Sequence, residues 1–209
     1  KKPFIGLSVG LGLYAVAFGL VQFGFLLWLP TNLRVAGFDV AAADSLIARA
    51  SLLGFPVTFI SAFLYAFWSS KKTLLLFAML TCAALLGFVF FEGTVTQNTL
   101  LIYGLIVLII MGVSTATTDL MPTYAAEVYP TSLRGRGSGF IAGASKVGGV
   151  LGIGLVVAGI TPPTFTGAAL LGAIPLLLAL VVLAIRGIET RRRRLEEITA
   201  EQVGADLVS

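Results

Sequence analysis

Asp119 and Lys146 stand inside long apolar runs, where a charge is costly and points to function. Asp119 precedes Glu127 by eight residues and Lys146 follows Arg136 by ten. At about 1.5 Å per helical residue, they lie roughly 12 and 15 Å from the basic turn between the runs. On antiparallel helices the two side chains then reach nearly the same depth. They are either cavity-facing charges that bind a substrate or switch protonation, or an inert buried ion pair. A lone buried lysine tends to lose its proton, so a partner is expected. Asp119 shares a helical stripe with Gly112, Thr115, Pro122 and Thr123, an unusually polar face for an apolar run. Lys146 shares its face with Gly139, Ala142, Gly143 and Gly149, so nothing bulky shields its amine.

Tyr14, Phe18, Gln22 and Phe25 recur at spacings of four, four and three. That mixed aromatic and amide face suits an amphipathic organic molecule, although such stripes also serve packing or face lipid. A second group of charges gathers at the turns. Glu127, Arg134 and Arg136 flank Tyr129-Pro130, and Lys71-Lys72 forms another turn. Together they can form a charge cluster that latches helix ends. A solvated ion pair, worth under about 1 kcal/mol, is the plainer reading.

Catalysis finds no support. There is no activated nucleophile, no phosphate-binding glycine loop with its lysine, and no metal-binding cluster. No cofactor is expected. The chain contains no histidine, so proton coupling would have to use carboxylates or lysine. Cys82 stands alone, which excludes an intrachain disulfide.

The elements that must hold these residues are membrane helices. Mean hydropathy is +1.00, with 57% hydrophobic and 11% charged residues, far below the roughly 25% charged residues of a soluble domain. A backbone in hydrocarbon must satisfy its own hydrogen bonds, as a helix or a closed barrel. Barrel strands would alternate over about 10 residues; these runs are long and continuous, so helices win. Six spans are expected, at about 4–29, 43–67, 73–91, 99–121, 137–160 and 166–187, with Pro30 ending the first. They form one domain over 1–187, followed by a polar tail over 188–209.

Lys1, Lys2, Lys71, Lys72, Arg134, Arg136, Arg186 and Arg191 to Arg194 fall in the termini and even-numbered loops. Only Arg34 falls clearly opposite. The positive-inside rule therefore puts both termini in the cytoplasm, in a multi-pass plasma (inner) membrane protein. The net charge of +4 serves orientation and lipid contact rather than nucleic-acid binding. Gly135, Gly139 and Gly143 are spaced by four, as are Gly148 and Gly152. Such spacing lets helix backbones approach closely, either inside this bundle or against a second one.

Three motifs carry a family resemblance. The Glu127-x6-Arg134 loop with Tyr129-Pro130 inside it resembles a cytoplasmic loop of the major facilitator superfamily. Phe67-Trp-Ser-Ser-Lys-Lys-Thr-Leu-Leu75 resembles the sugar-porter turn Asp-Arg-x-Gly-Arg-Arg, keeping the basic pair but not the acid or glycine. Glu189-Thr190-Arg-Arg-Arg-Arg-Leu-Glu-Glu-Ile198 looks like the sugar-porter ending Pro-Glu-Thr-Lys-Gly-x-x-Leu-Glu-Glu-Ile.

The resemblance implies an all-α integral membrane fold, a six-helix bundle like the superfamily's C-terminal half, with a 3+3 inverted repeat. It also implies a complementary N-terminal six-helix half as partner, besides the lipid bilayer. The expected activity is secondary transport of a small organic acid or related metabolite with a proton, by alternating access. Asp119, Lys146, Gln22, Tyr14, Phe18, Phe25 and Thr115 would bind substrate. Glu127, Arg134, Arg136, Lys71 and Lys72 would gate. Two alternatives stand beside it: a sugar or polyol porter, and a non-transporting scaffold that keeps half of the fold. The first is disfavoured because span one lacks the paired glutamines and span four lacks the proline-tryptophan pair of sugar porters.

Overall fold

The computed structural model describes residues 4–95, 97–116, 121–159 and 164–190. All regular elements among them are helical. A first span of 31 residues, Ile5–Val35, is built from α1 (Ile5–Leu20), a π-helical segment (Val21–Leu26) and α2 (Leu29–Val35). Then come α3 (Val40–Phe67), α4 (Ser70–Phe90), the short α5 (Glu92–Val95) and α6 (Thr99–Thr115). The described elements continue with α7 (Met121–Val128), α8 (Thr131–Val157) and α9 (Phe165–Arg186). Among the described residues, five helical stretches are long and apolar enough to cross a membrane, and α6 is a shorter apolar helix.

Polar residues start these helices by accepting otherwise orphaned amides. Asp39 accepts from Ala42 N–H at 2.6 Å, and Asn98 accepts from Leu100 and Leu101 at 3.1 and 3.2 Å. Ser69 caps α4 and Thr164 caps α9 in the same way.

Two expected boundaries move. Pro30 does not end the first span. It occupies the first turn of α2, where its missing N–H is one that no helical carbonyl would have received. The Arg134-Gly-Arg-Gly137 stretch is not a loop either. It lies inside α8, whose first turn closes with Leu133 and Arg134 amides on the Pro130 carbonyl at 2.9 and 2.8 Å. Glycine there needs no left-handed backbone; the described glycines with positive φ are Gly37 and Gly159.

The helices pack as an open arc. α8 lies on α1, α1 on α9, α9 on α4, α4 on α6 and α6 on α3. Its centre is a hydrophobic core holding Tyr14, Phe18, Phe25, Phe88, Ile102 and Leu176. Its two ends are the least covered. Only 17% of the apolar stretch of α3 and 22% of that of α8 are buried, against 44–67% for the other three long spans.

The α1–α8 contact is made backbone to backbone. A Cβ on Gly148 would fall 2.2 Å from the Val16 carbonyl oxygen, and one on Gly19 2.1 Å from that of Ser145. Only glycine fits there. Gly135, Gly139 and Gly143 have no neighbour within 4 Å of such a Cβ. The two glycine series therefore divide, one packing inside the bundle and the other lying on the open side of α8.

Candidate functional site: a cationic cavity and a polar clasp

A cavity of about 480 Å³ opens between the π-helical segment, α7 and α8. Lys146, Ser145, Ala142, Ile141 and Ser138 line it from α8, Met121, Pro122 and Ala125 from α7, and Gln22 from the π-helical segment. Gln22 and Lys146 are both exposed to it rather than packed away. The Lys146 ammonium lies 5.8 Å from the centre of the Phe23 ring, a cation–π distance. The cavity thus offers an ammonium, an amide and two hydroxyls, on apolar walls. Chemically it can take up a negative charge and donate hydrogen bonds beside it.

Of the residues expected at a binding site, the structure brings Gln22 and Lys146 together. Tyr14, Phe18 and Phe25 go elsewhere. All three are buried in the bundle, Tyr14 and Phe18 with ring centres 4.6 Å apart and Phe25 5.2 Å from Phe88. Their faces are consumed by packing, so they do not line the cavity. Thr115 is also buried, and its hydroxyl donates back to the Met111 and Gly112 carbonyls of its own helix at 2.8 and 3.2 Å. Asp119 lies outside the described residues. Ser138 and Ser145 escaped the sequence reading, although both sit at helical spacing from Ala142 on the lysine's side of α8. Phe23 escaped too, with no signal to separate it from its apolar neighbours.

The gating candidates lie at one end of the bundle, where α3 passes into α4. A cleft of about 450 Å³ there is lined by Tyr65, Ala66, Phe67, Ser70, Thr123, Glu127 and Thr190. Among the described residues, Glu127 is met by hydroxyls rather than by a cation. It accepts from the Ser70 hydroxyl at 2.9 Å and the Thr190 hydroxyl at 2.6 Å.

The two expected lysines find other partners. The Lys71 ammonium donates to the Ala184 carbonyl at 2.9 Å, near the C-terminal end of α9 where the helix dipole favours positive charge. Lys72 sits 6.0 Å over the Trp68 ring. Arg134 is half-buried, with its Nε bonded to nothing among the described residues, and Arg136 is exposed. The reason is the cap of α4. It turns Ser69 and Ser70 toward the carboxylates and sends the two lysines onward around the helix.

The start of the expected tail belongs to this cluster. Ser69 donates to Glu189, and the Tyr124 hydroxyl donates to the Ile188 carbonyl at 2.6 Å. Residues 187–190 are therefore stitched to α4 and α7, while 191–209 lie outside the described residues. Nearby, Tyr129 and Ser8 share a hydrogen bond of 2.7 Å. Burial pushes the Tyr129 hydroxyl above its ordinary value, and the Ser8 bond offsets part of that rise.

Comparison with known proteins agrees with this architecture. The family model of the Major Facilitator Superfamily matches residues 1–153. The chain is similar to the inner membrane metabolite transport protein YdjE of Escherichia coli (strain K12), with 30% identity over 185 residues, 88% of this chain and 40% of that protein. It is similar to the putative niacin/nicotinamide transporter NiaP of Bacillus subtilis (strain 168), with 27% identity over 177 residues, 83% of this chain and 42% of that protein. It is also similar to the putative metabolite transport protein YdjK of Escherichia coli (strain K12), with 27% identity over 191 residues, 90% of this chain and 40% of that protein. The chain spans about two-fifths of the length of these relatives.

Proposed function

This chain belongs to the major facilitator superfamily, and from that premise we propose that it is half of a secondary transporter for a small organic acid. It is an integral, multi-pass membrane protein. The substrate moves with a proton by alternating access, and the termini of this half face the cytoplasm. The observation that carries the reading is the convergence of Lys146 and Gln22 on one cavity. An ammonium among apolar walls recognises a carboxylate, and the neighbouring amide and hydroxyls hold its oxygens. One relative is named for niacin or nicotinamide; a carboxylate of that size, or its amide, suits the same donors.

The Glu127 cluster is the gate in this reading. Its hydroxyl-to-carboxylate bonds join α4, α7 and the segment after α9, three parts that must separate if the end of the bundle is to open. A complementary half supplies the other wall of the cavity. Support for it comes from the length of the relatives and from the sparse cover on α3 and α8.

The reading is tested by reconstituting the transporter that contains this chain into liposomes and following uptake of radiolabelled monocarboxylates under an imposed pH gradient. Uptake should follow the gradient and collapse in Lys146→Met, while neutral polyols are not taken up. Wild-type carboxylate uptake by Lys146→Met would overturn the assignment.

A further inference from the structure

Arg49 is a charge that neither the cavity nor the Glu127 cluster uses. It sits nine residues beyond the start of α3, about 14 Å along the helix axis. The buried stripe of α3, which includes Ala43, Leu46, Ala50 and Gly54, faces α6. Arg49 lies about 100° round the helix from the centre of that stripe and is exposed. It begins a stripe of exposed apolar side chains at helical spacing, with Leu52, Leu53, Ile60 and Phe63. No described residue makes an ion pair with it. Asp44 stands five residues earlier, which puts it about 140° round the helix rather than alongside.

A guanidinium among such neighbours is expensive unless a counter-charge meets it. The Lys146 cavity has hydroxyls and an amide around its cation, as a site for a soluble ligand requires. The surface around Arg49 has large apolar side chains, as a packed helix interface requires. Lys146 lies eleven residues before the end of α8, about 17 Å from the same face of the bundle. The two least covered helices thus each present a cation at similar depth, one in a cavity lined by an amide and hydroxyls and one at the head of a mostly apolar stripe.

We propose that Arg49 pairs with an Asp or Glu carboxylate of the complementary half, on a helix that packs along the Leu52–Phe63 stripe of α3. The bidentate guanidinium would fix the register of that helix against α3. This rests on the two-half reading above, which the relatives' length supports.

The test uses the full transporter in proteoliposomes. Arg49→Leu and Arg49→Glu should each lower uptake by about tenfold or more, because each leaves a carboxylate buried without its partner. In the Arg49→Glu background, the membrane-embedded acids of the other half are changed singly to lysine. One such exchange should restore uptake, and a cysteine at that position should form a disulfide with Arg49→Cys. Wild-type uptake and thermal stability in Arg49→Leu would overturn the pairing and leave an arginine that faces lipid. Failure of every acid-to-lysine exchange would overturn it as well. Leu53→Cys separates this from the premise. Ready labelling by a lipid-soluble maleimide means that no half covers α3; protection, with a neutral Arg49→Leu, sinks the ion pair alone.

Discussion

Thr190 donates its hydroxyl to Glu127 across 2.6 Å, binding the segment after the last helix to the end of α7. A hydrogen bond to a carboxylate contributes about 1.5–3 kcal/mol. Thr190→Val should therefore lower the unfolding temperature in detergent by several degrees, whereas Thr190→Ser should not. If the clasp also gates, Thr190→Val will raise the labelling rate of a cysteine placed at Thr123, inside the cleft. Equal rates in the two variants would leave the clasp a structural bond only.

Lys146→Met removes the ammonium and Gln22→Leu the amide from the same cavity. Each should weaken carboxylate binding by roughly 10- to 100-fold, the equivalent of one charge-assisted hydrogen bond. Equilibrium binding to purified protein checks this without requiring turnover. Thr115→Val should bind as the parent does, since that hydroxyl is spent on its own helix.

Gly148→Ala drives a methyl group into the Val16 carbonyl, where no rotamer can relieve it. Overpacking of this kind costs about 1–3 kcal/mol and should show as a lower melting temperature or as aggregation during size-exclusion chromatography. Gly154→Ala meets open space on the same helix. It should be neutral or slightly stabilising, because alanine loses less backbone entropy than glycine in a helix. A Gly148→Ala protein as stable as the Gly154→Ala one would contradict the contact.

Tyr129 carries a pH dependence with a definite sign. Its folded pKa is raised above the ordinary value of 10, so the native state holds this proton more tightly than the unfolded state does. The contribution is complete below pH 10 and is lost as pH rises through the higher native value. Stability should be flat from this group at neutral pH and fall in the alkaline range. Tyr129→Phe should flatten the alkaline fall while losing the Ser8 bond, measured as melting temperature between pH 8 and 11.

Much of the fold was legible because bilayer physics leaves few choices. The apolar runs around α3, α4, α8 and α9 announce spans through length alone. Gln22 and Lys146 were each singled out on their own spans, but the sequence paired the lysine with Asp119. That Gln22 and Lys146 line one cavity came only from the packing of the helices, and the aromatic stripe was not legible. Extrapolating a uniform 3.6-residue period puts Tyr14, Phe18, Gln22 and Phe25 on one face. The π-helical segment Val21–Leu26 widens the turn inside that stripe. It leaves Gln22 exposed while Phe18 and Phe25 stay in the core.

The charge pairs were misread for a related reason. Spacing places Glu127 near Arg134 and the lysines, yet the α4 cap aims hydroxyls at the carboxylate, and spacing does not reveal where a cap points. Pro30 and the Arg-Gly-Arg-Gly stretch looked like breakers. The first fits a helix's opening turn without penalty, and the second has no φ that a helix forbids.

Where α1 crosses α8, carbonyl oxygens and glycines touch with no side chain between them. At Gly19 and Gly148 the backbones meet directly, and the Phe140 and Phe23 rings pack against Gly12 and Gly149 beside them, so the two rods are held close as one plate. Gln22 and Lys146 ride on that plate. If the chain works by the alternating access proposed above, their separation should stay the same whichever side the cavity opens to, and a ligand would be measured against one ruler at loading and at release.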